Sequence, residues 1–365
     1  MEQILVIDGH NDLPWAHRLS AGYDLERLEL DRDQPSLRTD LPRLRRGGVG
    51  GQFWSVYVPA TLEGAEAVLA TLEQVEFVQR LAQRYPHDLA LARTAAEAEA
   101  AMDRGQIACF MGAEGGHCIA SSLPVLRILR RLGVLYLTLT HNRNVGWAGS
   151  CTDSPAMGLS AFGESVVLEM NRLGMLVDLS HVSVETARDA LRVTRAPAIF
   201  SHSSCRALCS HPRDVPDEVL GLLPQNQGVI MLTFVPAFIS QEFADWREEA
   251  LDARGRRGLS EEGPDLQDFL KKWERDHPRP EATVEQAADH VDHAREVCGV
   301  EHVGLGGDFD GTLFSSRGLE DVSCYPNLLQ VLRGRGWSEE DLQRLARKNV
   351  LRVLRQAEAV AQEQT

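Results

Sequence analysis

The sequence predicts an α/β protein folded as a (β/α)8 TIM barrel, on three observations. Eight short apolar runs recur along the 365 residues, and most of them contain β-branched or aromatic residues. Runs without a polar face are typical of strands in a buried parallel sheet. Amphipathic helix-like stretches separate the runs, and polar residues collect after the same end of most of them. A doubly wound sheet stays the alternative, because strand closure cannot be read from the order of elements.

The predicted strands are, in chain order, Ile4–Asp8, Gly51–Val58, Ile107–Ala113, Val134–Thr140, Leu176–Ser180, Ala198–Ser201, Val229–Phe234 and His302–Gly306. Helices are predicted where apolar residues recur at spacings of three and four, as in Leu62–Tyr85, Leu159–Leu173 and Val184–Arg192. Ser183 precedes the last of these and is typical of a helix start. Glu339–Gln364 predicts a closing amphipathic helix.

Two segments depart from this alternation. Leu19–Gly47 is charged and predicts a long first connection from strand to helix. Ile239–Ala282 is denser in charge, with three aromatic residues at intervals, and predicts a helical insertion. It would form either a flap over the barrel mouth or a solvated surface segment. Because no internal repeat or linker is evident, we expect residues 1–365 to form one domain.

Charge and cysteine content narrow the class of protein. The formal net charge is −15, from 53 acidic and 38 basic residues. Such a chain is poorly suited to bind nucleic acid or anionic lipid, both of which attract clustered Lys and Arg. Seven cysteines without a C-x-x-C pair favour a reduced compartment. With no secretory signal and no apolar run of 18 residues, we expect a cytoplasmic protein without membrane attachment.

Polar residues follow six of the eight predicted strands, at the end where α/β barrels carry their catalytic groups. A single histidine there is a weak signal, but six costly half-buried polar positions favour a shared function. Strands two and seven offer nothing comparable. The candidates are His10 and Asp12 after strand one, Glu114 after strand three, His141 after strand four, His181 after strand five, His202 after strand six, and Asp308 and Asp310 after strand eight.

These side chains predict a metal centre. His10 and Asp12 are two residues apart, so on an extended segment they point to one side. His181 and His202 offer imidazoles from adjacent strands, and the carboxylate of Glu114 could bridge two ions. Imidazole with carboxylate suits zinc, with manganese or cobalt as substitutes. Two cations that hold one water would generate a hydroxide nucleophile near neutral pH.

Other residues near these strand ends suggest roles in catalysis. Asp308 could serve as general base and then general acid, and Asp310 remains an alternative. If it binds no metal, His141 could donate to a developing oxyanion. Arg213 lies on the loop after strand six. It could form a surface ion pair, or bind an anionic group of the substrate.

The remaining polar and thiol groups are assigned no catalytic role. His290, Asp292 and His293 lie in a predicted helix and are expected to face solvent. Cysteines 109, 118, 205 and 209 are expected to be small buried residues. The Gly-x-Ser-x-Gly motif of serine hydrolases is absent from the sequence.

Several strings make the chain similar to one known family, the membrane (renal) dipeptidases, peptidase family M19. The resemblance extends from about Ile7 to Val350 with the motifs in the same order. It implies a barrel of the metal-dependent amidohydrolase type with two zinc ions. The strings begin at Asp8 (DGHND), Gln52 (QFWSVY), Leu139 (LTHN), Asp178 (DLSH), Ser201 (SHSS), Arg213 (RDVP) and Gly306 (GGDFDG).

The resemblance also implies a role for each site residue. His10 and Asp12 would hold one zinc ion, His181 and His202 the other, and Glu114 would bridge the two. His141 would polarise the scissile carbonyl, Arg213 would bind the C-terminal carboxylate of the substrate, and Asp308 would pass a proton to the leaving amine. Family members cleave dipeptides, often with a C-terminal D-residue. Some open β-lactams, and homodimers are common.

Some features depart from the animal members, which carry a signal peptide, a lipid-anchor tail and disulfides. Arg143 and Gln241 stand where disulfide cysteines are expected, and Cys209 would lose its partner. We therefore expect a soluble, bacterial-type zinc dipeptidase. A lactonase, deacetylase or phosphodiesterase on the same barrel is the alternative. A non-catalytic barrel is disfavoured because every ligand position keeps a competent residue.

Overall fold

The computed structural model describes residues 3–257 and 265–364. Eight parallel strands close into a ring, in the order β1-β2-β4-β5-β6-β7-β8-β9 and back to β1. The predicted (β/α)8 barrel is therefore confirmed. The strands are β1 (Val6–Asn11), β2 (Val49–Tyr57), β3 (Leu89–Leu91), β4 (Ile107–Glu114), β5 (Val134–Thr138), β6 (Leu176–Asp178), β7 (Ile199–Ser203), β8 (Val229–Leu232) and β9 (Val303–Leu305).

All eight predicted strands are present, with bounds that differ by at most three residues from those predicted. The strand β3 was not predicted; it pairs in parallel with the first residues of β4, outside the ring, and its three residues are too short to show a pattern. The first strand ends at Asn11 rather than Asp8. Its polar end looks like a turn in sequence, but pairing of Asn11 with Trp54 of β2 extends the strand.

Helices cover the outside of the ring. They are α1 (Leu13–Ala21), α2 (Leu41–Arg46), α3 (Gly64–Arg84), α4 (Ala95–Asp103), α5 (Leu123–Leu132), α6 (Ala161–Leu173), α7 (Val184–Val193), α8 (Asp217–Leu220), α9 (Leu223–Asn226), α10 (Pro236–Ile239), α11 (Gln241–Gly255), α12 (Leu266–Asp276), α13 (Val284–Cys298), α14 (Tyr325–Gly334), α15 (Glu339–Gln343) and α16 (Asn349–Glu363). The helices predicted near residues 62–85, 159–173 and 184–192 are present as α3, α6 and α7. Ser183 caps α7, because its Oγ accepts the N–H of Thr186 at 3.0 Å.

An apolar layer fills the barrel interior. It contains Ile7, Phe53, Phe110, Tyr136, Leu176, Ile199 and Met231, with residues of α16 below. The Phe53 ring stacks on Phe110 and on Tyr136, at centroid distances of 4.5 and 5.3 Å. Because side chains alternate along a strand, the next inward positions lie at the carboxyl ends of the strands, where the polar residues are.

The helices α11 and α12 lie within the predicted insertion, of which residues 258–264 fall outside the described part of the chain. They share an apolar cluster of their own, which includes Phe243, Trp246 and Phe269. Phe314, from the loop after β9, packs on Phe243 and Trp246 at centroid distances of 5.7 and 5.8 Å. The cluster therefore fastens α11 to the loop that follows the last strand.

Candidate metal centre

Three imidazoles converge on the two oxygens of one carboxylate. Glu114 is the last residue of β4, and its Oε1 lies 3.0 Å from Nε2 of His181 and 3.4 Å from Nε2 of His202. Its Oε2 lies 3.5 Å from Nε2 of His10. The Nε2 atoms of His181 and His202 are 3.0 Å apart. Strands that are far apart in sequence thus bring four predicted ligands together.

Two further carboxylates approach His10. The Oδ2 atom of Asp12 lies 3.5 Å from Nε2 of His10, and ligand atoms of Asp308, His10 and Asp12 lie within 4.8 Å of one another. Gly311 allows this approach. A Cβ there would lie 2.2 Å from Oδ2 of Asp12 and 2.5 Å from Oδ1 of Asp308, so any side chain would displace a carboxylate.

The donor set fits a metal ion. Nε2 of His10 and Oδ1 of Asp12 are buried without a hydrogen-bond partner among the described residues. Buried polar atoms normally have such a partner, so these atoms are suited to a ligand the protein itself does not supply. Glu114 also forms groups of metal-binding size with His10 and His202, and with His141 and His181. Imidazole nitrogen and carboxylate oxygen are the ligands of zinc and its neighbours in the first transition row.

Electrostatics hold Glu114, His181 and His202 in the ionisation states that bind metals, whereas at His10 the neighbouring Tyr136, Glu114 and Asp12 outweigh burial and raise the pKa well above its usual value. Burial disfavours charge on Glu114, but the imidazoles of His10, His181 and His202 outweigh it and hold the pKa of that carboxyl well below its usual value. Burial lowers the pKa values of His181 and His202 well below the usual range. Neutral imidazoles facing an ionised carboxylate are the forms that coordinate a cation.

Three candidate residues adopt a left-handed backbone. The φ angles are 69° at His181, 59° at Asp308 and 65° at Asp310. Such a conformation costs on the order of 1–3 kcal/mol at a residue other than glycine and clusters at functional sites. At His181 the carbonyl is fixed by the N–H of Cys151 at 2.8 Å. The backbone is thus constrained where side chains must be directed inward.

The structure distinguishes Asp308 from Asp310. Asp310 is tied to the loop before α2, because its Oδ1 accepts the N–H of Arg38 at 2.7 Å. Burial raises its pKa to about 6. Burial, reinforced by the charge of Asp12, raises the pKa of Asp308 well above its usual value. Asp308 is the one that lies with the candidate ligands.

Arg213 is buried beside the histidines. Its Nη2 donates to the carbonyl of His202 at 2.9 Å and its Nη1 to Oγ of Ser203 at 3.3 Å. The ring of Phe238 lies 5.3 Å from the guanidinium carbon. These contacts use two of the five guanidinium N–H donors and orient the planar group.

His141 and the second strand complete the surroundings of Glu114. Nε2 of His141 is 3.9 Å from Oε1 of Glu114, and its ring is 5.0 Å from that of Tyr57. The prediction that strand two offers nothing comparable was wrong, since Ser55 donates to Oε2 of Glu114 at 3.0 Å. The only sign of Ser55 in the sequence is a serine at an inward-facing position of an apolar strand. A search for His, Asp and Glu residues does not find it.

The prediction that His290 faces solvent was also wrong. It is buried on α13, and its Nδ1 accepts the N–H of Cys205 at 3.0 Å. Its neighbours on α13 also have partners: Asp292 accepts from Nε1 of Trp337 in the loop after α14, and Nε2 of His293 lies 2.8 Å from Oδ1 of Asp217 on α8. Because other elements pack on several sides of α13, a polar residue that the sequence pattern places on its solvent-facing side can be buried. The cysteines expected to be buried are so: Cys109, Cys118, Cys205 and Cys209.

The model of the membrane dipeptidase family (peptidase family M19) matches residues 1–365. This chain belongs to peptidase family M19. It is a metallo-dipeptidase, as the family resemblance implied. Dipeptidase verJ of Clonostachys rogersoniana is 40% identical over an alignment of 375 positions that covers 99% of this chain and 86% of that relative.

Solved structures place this M19 chain in the same fold. A metallopeptidase from Rhodobacter sphaeroides, liganded with a phosphinate mimic of L-Ala-D-Ala, is 25% identical with a TM-score of 0.82 over 98% of this chain and all of that one. PvdM from Pseudomonas aeruginosa is 22% identical with a TM-score of 0.84 over 98% and 96% of the two chains. Among the helices of residues 3–257 and 265–364, none has both the length and the apolar character that a membrane crossing requires.

Proposed function

We propose that this M19 enzyme hydrolyses free dipeptides, including those with a C-terminal D-residue, at a centre of two zinc ions. The main support for this proposal is that three imidazole Nε2 atoms converge on the two oxygens of Glu114. The Rhodobacter sphaeroides relative, whose ligand mimics L-Ala-D-Ala, supports the C-terminal D-residue.

The proposed centre divides the ligands into two sets. His10, whose Nε2 lies 3.5 Å from Oε2 of Glu114 and 3.5 Å from Oδ2 of Asp12, would hold one ion together with these two carboxylates. His181 and His202 lie near Oε1 and would hold the other. When bound, two such ions supply Lewis acidity that polarises a peptide carbonyl and activates the attacking water.

Side chains around the ligands would bind the substrate and move the proton. Arg213, buried beside His202, can form a bidentate pair with the C-terminal carboxylate. Because this pair would lie one residue from the scissile bond, it restricts the substrate to dipeptides. His141 would donate to the oxyanion. Asp308, a carboxyl with a raised pKa, would take the proton of the attacking water and deliver it to the leaving amine.

We further propose that the partners are small dipeptides and a second copy of the chain, without nucleic acid or membrane. The net charge of −15 supports the two exclusions. The seven cysteines, of which none forms a disulfide, support a cytoplasmic location.

A panel of dipeptides tests the substrate assignment. Zinc-loaded protein is incubated with L-Xaa-L-Xaa and L-Xaa-D-Xaa peptides and with the same peptides amidated at the C-terminus. We expect cleavage of free but not amidated dipeptides, because amidation removes the charge that Arg213 binds. No cleavage of any dipeptide by protein that holds two metal ions would contradict the proposal. The assays would then turn to lactones, acetamides and phosphoesters.

Replacement of Arg213 tests the carboxylate pair directly. We expect Arg213→Met to lower kcat/KM for free dipeptides about 10–100-fold, since hydrogen bonds to charged groups contribute about 1.5–3 kcal/mol. Arg188→Met is the matched control, because Arg188 forms an exposed ion pair with Glu218. Equal kcat/KM values for the two variants would rule out the assigned role of Arg213.

A further inference from the structure

Two of the candidate ligands carry buried hydroxyl partners on the ring nitrogen that faces away from Glu114. We propose that Ser201 and Tyr136 are positioning residues, which hold the proton of His202 and of His10 on Nδ1 and leave Nε2 free to bind metal. The inference rests on the metal centre of the proposed function and extends it to residues that touch neither metal nor substrate.

The hydrogen-bond directions around Asp178 fix the proton of Ser201. Asp178 accepts from Oγ1 of Thr138 and Oγ of Ser201, both at 2.6 Å, and from the N–H groups of Ser180 and Ser201 at 3.1 and 2.9 Å. As an ionised carboxylate Asp178 has no hydrogen to donate, so it accepts all four of these bonds. The single hydroxyl hydrogen of Ser201 therefore points to Asp178. Toward Nδ1 of His202, 2.8 Å away, Oγ can only accept, so that nitrogen carries the hydrogen.

Tyr136 places the proton of His10 by the same logic. Its Oη donates to the carbonyl of Gly9 at 3.3 Å and lies 2.9 Å from Nδ1 of His10. A carbonyl can only accept and the hydroxyl carries one hydrogen, so both contacts are hydrogen bonds at once only when the imidazole donates from Nδ1 to Oη. Gly112 makes room for the ring, since a Cβ there would lie 1.9 Å from Tyr136 Cζ.

Both tautomers direct a lone pair toward the same carboxylate. With hydrogen on Nδ1, the free Nε2 of His202 faces Oε1 of Glu114 at 3.4 Å and that of His10 faces Oε2 at 3.5 Å. Tyr136 on β5 thus orients the imidazole that faces Oε2 of Glu114, and Ser201 on β7 orients the imidazole that faces Oε1. A partner on the second nitrogen fixes the orientation and raises the basicity of a metal-binding imidazole, and its loss commonly weakens metal binding or activity 10–100-fold.

The experiment compares Ser201→Ala and Tyr136→Phe with Ser204→Ala. Ser204 is the matched control because it is equally buried and close in sequence, but its Oγ donates to the carbonyl of Thr233. Zinc affinity is measured by competition with a chelating dye, and ligand geometry by the visible spectrum of the Co²⁺-substituted protein. We expect each test variant to bind one of its two ions about 10–100-fold more weakly and to change the cobalt spectrum. Ser204→Ala should match the wild type, and Ser201→Thr, which keeps the hydroxyl, should recover affinity.

Wild-type zinc affinity and an unchanged cobalt spectrum in both test variants would overturn the inference. Should Ser201→Ala fail to fold, Tyr136→Phe decides alone, since it removes one oxygen and keeps the ring that fills the barrel. Failure of the proposed function is a separate outcome. Wild-type protein that holds two zinc ions and cleaves no dipeptide rejects the substrate, whereas the metal affinities of the variants judge the roles of Ser201 and Tyr136.

Discussion

At the scale of single residues, two buried histidines have different roles because their rings have different partners. His202 is buried with Nε2 toward a carboxylate, whereas His290 is buried with Nδ1 on a backbone N–H. Burial lowers the pKa of both, and that of His290 to about 4. The partner of the ring therefore distinguishes the candidate metal ligand His202 from the structural residue His290. His290 must be neutral to accept that hydrogen bond, so its effect on stability depends on pH.

We expect His290 to stabilise the protein at neutral pH and to destabilise it in acid. A histidine whose folded pKa is depressed contributes stability above its unfolded pKa of about 6.5, and that contribution is lost as the pH falls toward 4. The loss approaches about 3 kcal/mol. His290→Asn keeps an acceptor near the position of Nδ1 but does not titrate. Its free energy of unfolding should therefore change less than that of the wild type between pH 6.5 and 4.

Denaturant unfolding of both proteins at several pH values measures this difference. Protonation of the metal ligands is common to the two proteins, so the difference between their slopes isolates His290. Parallel curves would show that His290 is not the group that titrates.

At the scale of elements, a glycine on β4 makes room for a side chain of β5. The ring of Tyr136 on β5 lies directly over Gly112 on β4. The same contact lets the Tyr136 hydroxyl reach His10 on β1. Packing inside the barrel and placement of a candidate ligand therefore depend on one glycine.

We expect Gly112→Ala to lower the free energy of unfolding by about 1–3 kcal/mol, because the added methyl group overlaps the Tyr136 ring. Gly146→Ala is the control, since a Cβ at Gly146 would meet no atom within 4 Å. Denaturant unfolding compares the two variants with the wild type. An equal effect of both substitutions would mean that the barrel interior tolerates the methyl group.

At the scale of the whole molecule, the candidate ligands tie distant parts of the barrel together. They come from β1 and the residue that follows it, from β4, from β7 and from the loop after β6, and the carboxylates of Asp12 and Glu114 among them repel each other when no cation lies between them. A ligand that binds only the folded state stabilises it by about 4 kcal/mol at a thousand times its dissociation constant.

We therefore expect removal of metal by a chelator to lower Tm and to abolish dipeptide cleavage, and added zinc to restore both. Magnesium serves as the control ion, since it prefers an all-oxygen shell and should restore neither. Differential scanning calorimetry and the peptide assay follow the two properties. A Tm that is the same with and without zinc would contradict a metal centre that spans these strands.

The fold and most of the candidate site could be predicted from the sequence, for a physical reason. Parallel strands place their carboxyl ends at one edge, so polar residues after successive apolar runs must approach one another, as Glu114, His181 and His202 do. Ser55 was missed because a serine in an apolar strand has no distinctive spacing. Its contact with Glu114 depends on the pairing of β2 with β4, which are separated by β3 in the chain.

The sequence alone determined the alternation of buried strands and helices, the resemblance to family M19 and the residues that can carry metal chemistry, because these follow from local periodicity and from motifs a few residues long. The tertiary structure alone decided which buried histidine faces a carboxylate and which faces a backbone amide. It also decided how Gly112 admits Tyr136 and how Asp178 orients Ser201. These are contacts between residues distant in the chain, and their distances and directions exist only once the ring of strands has closed.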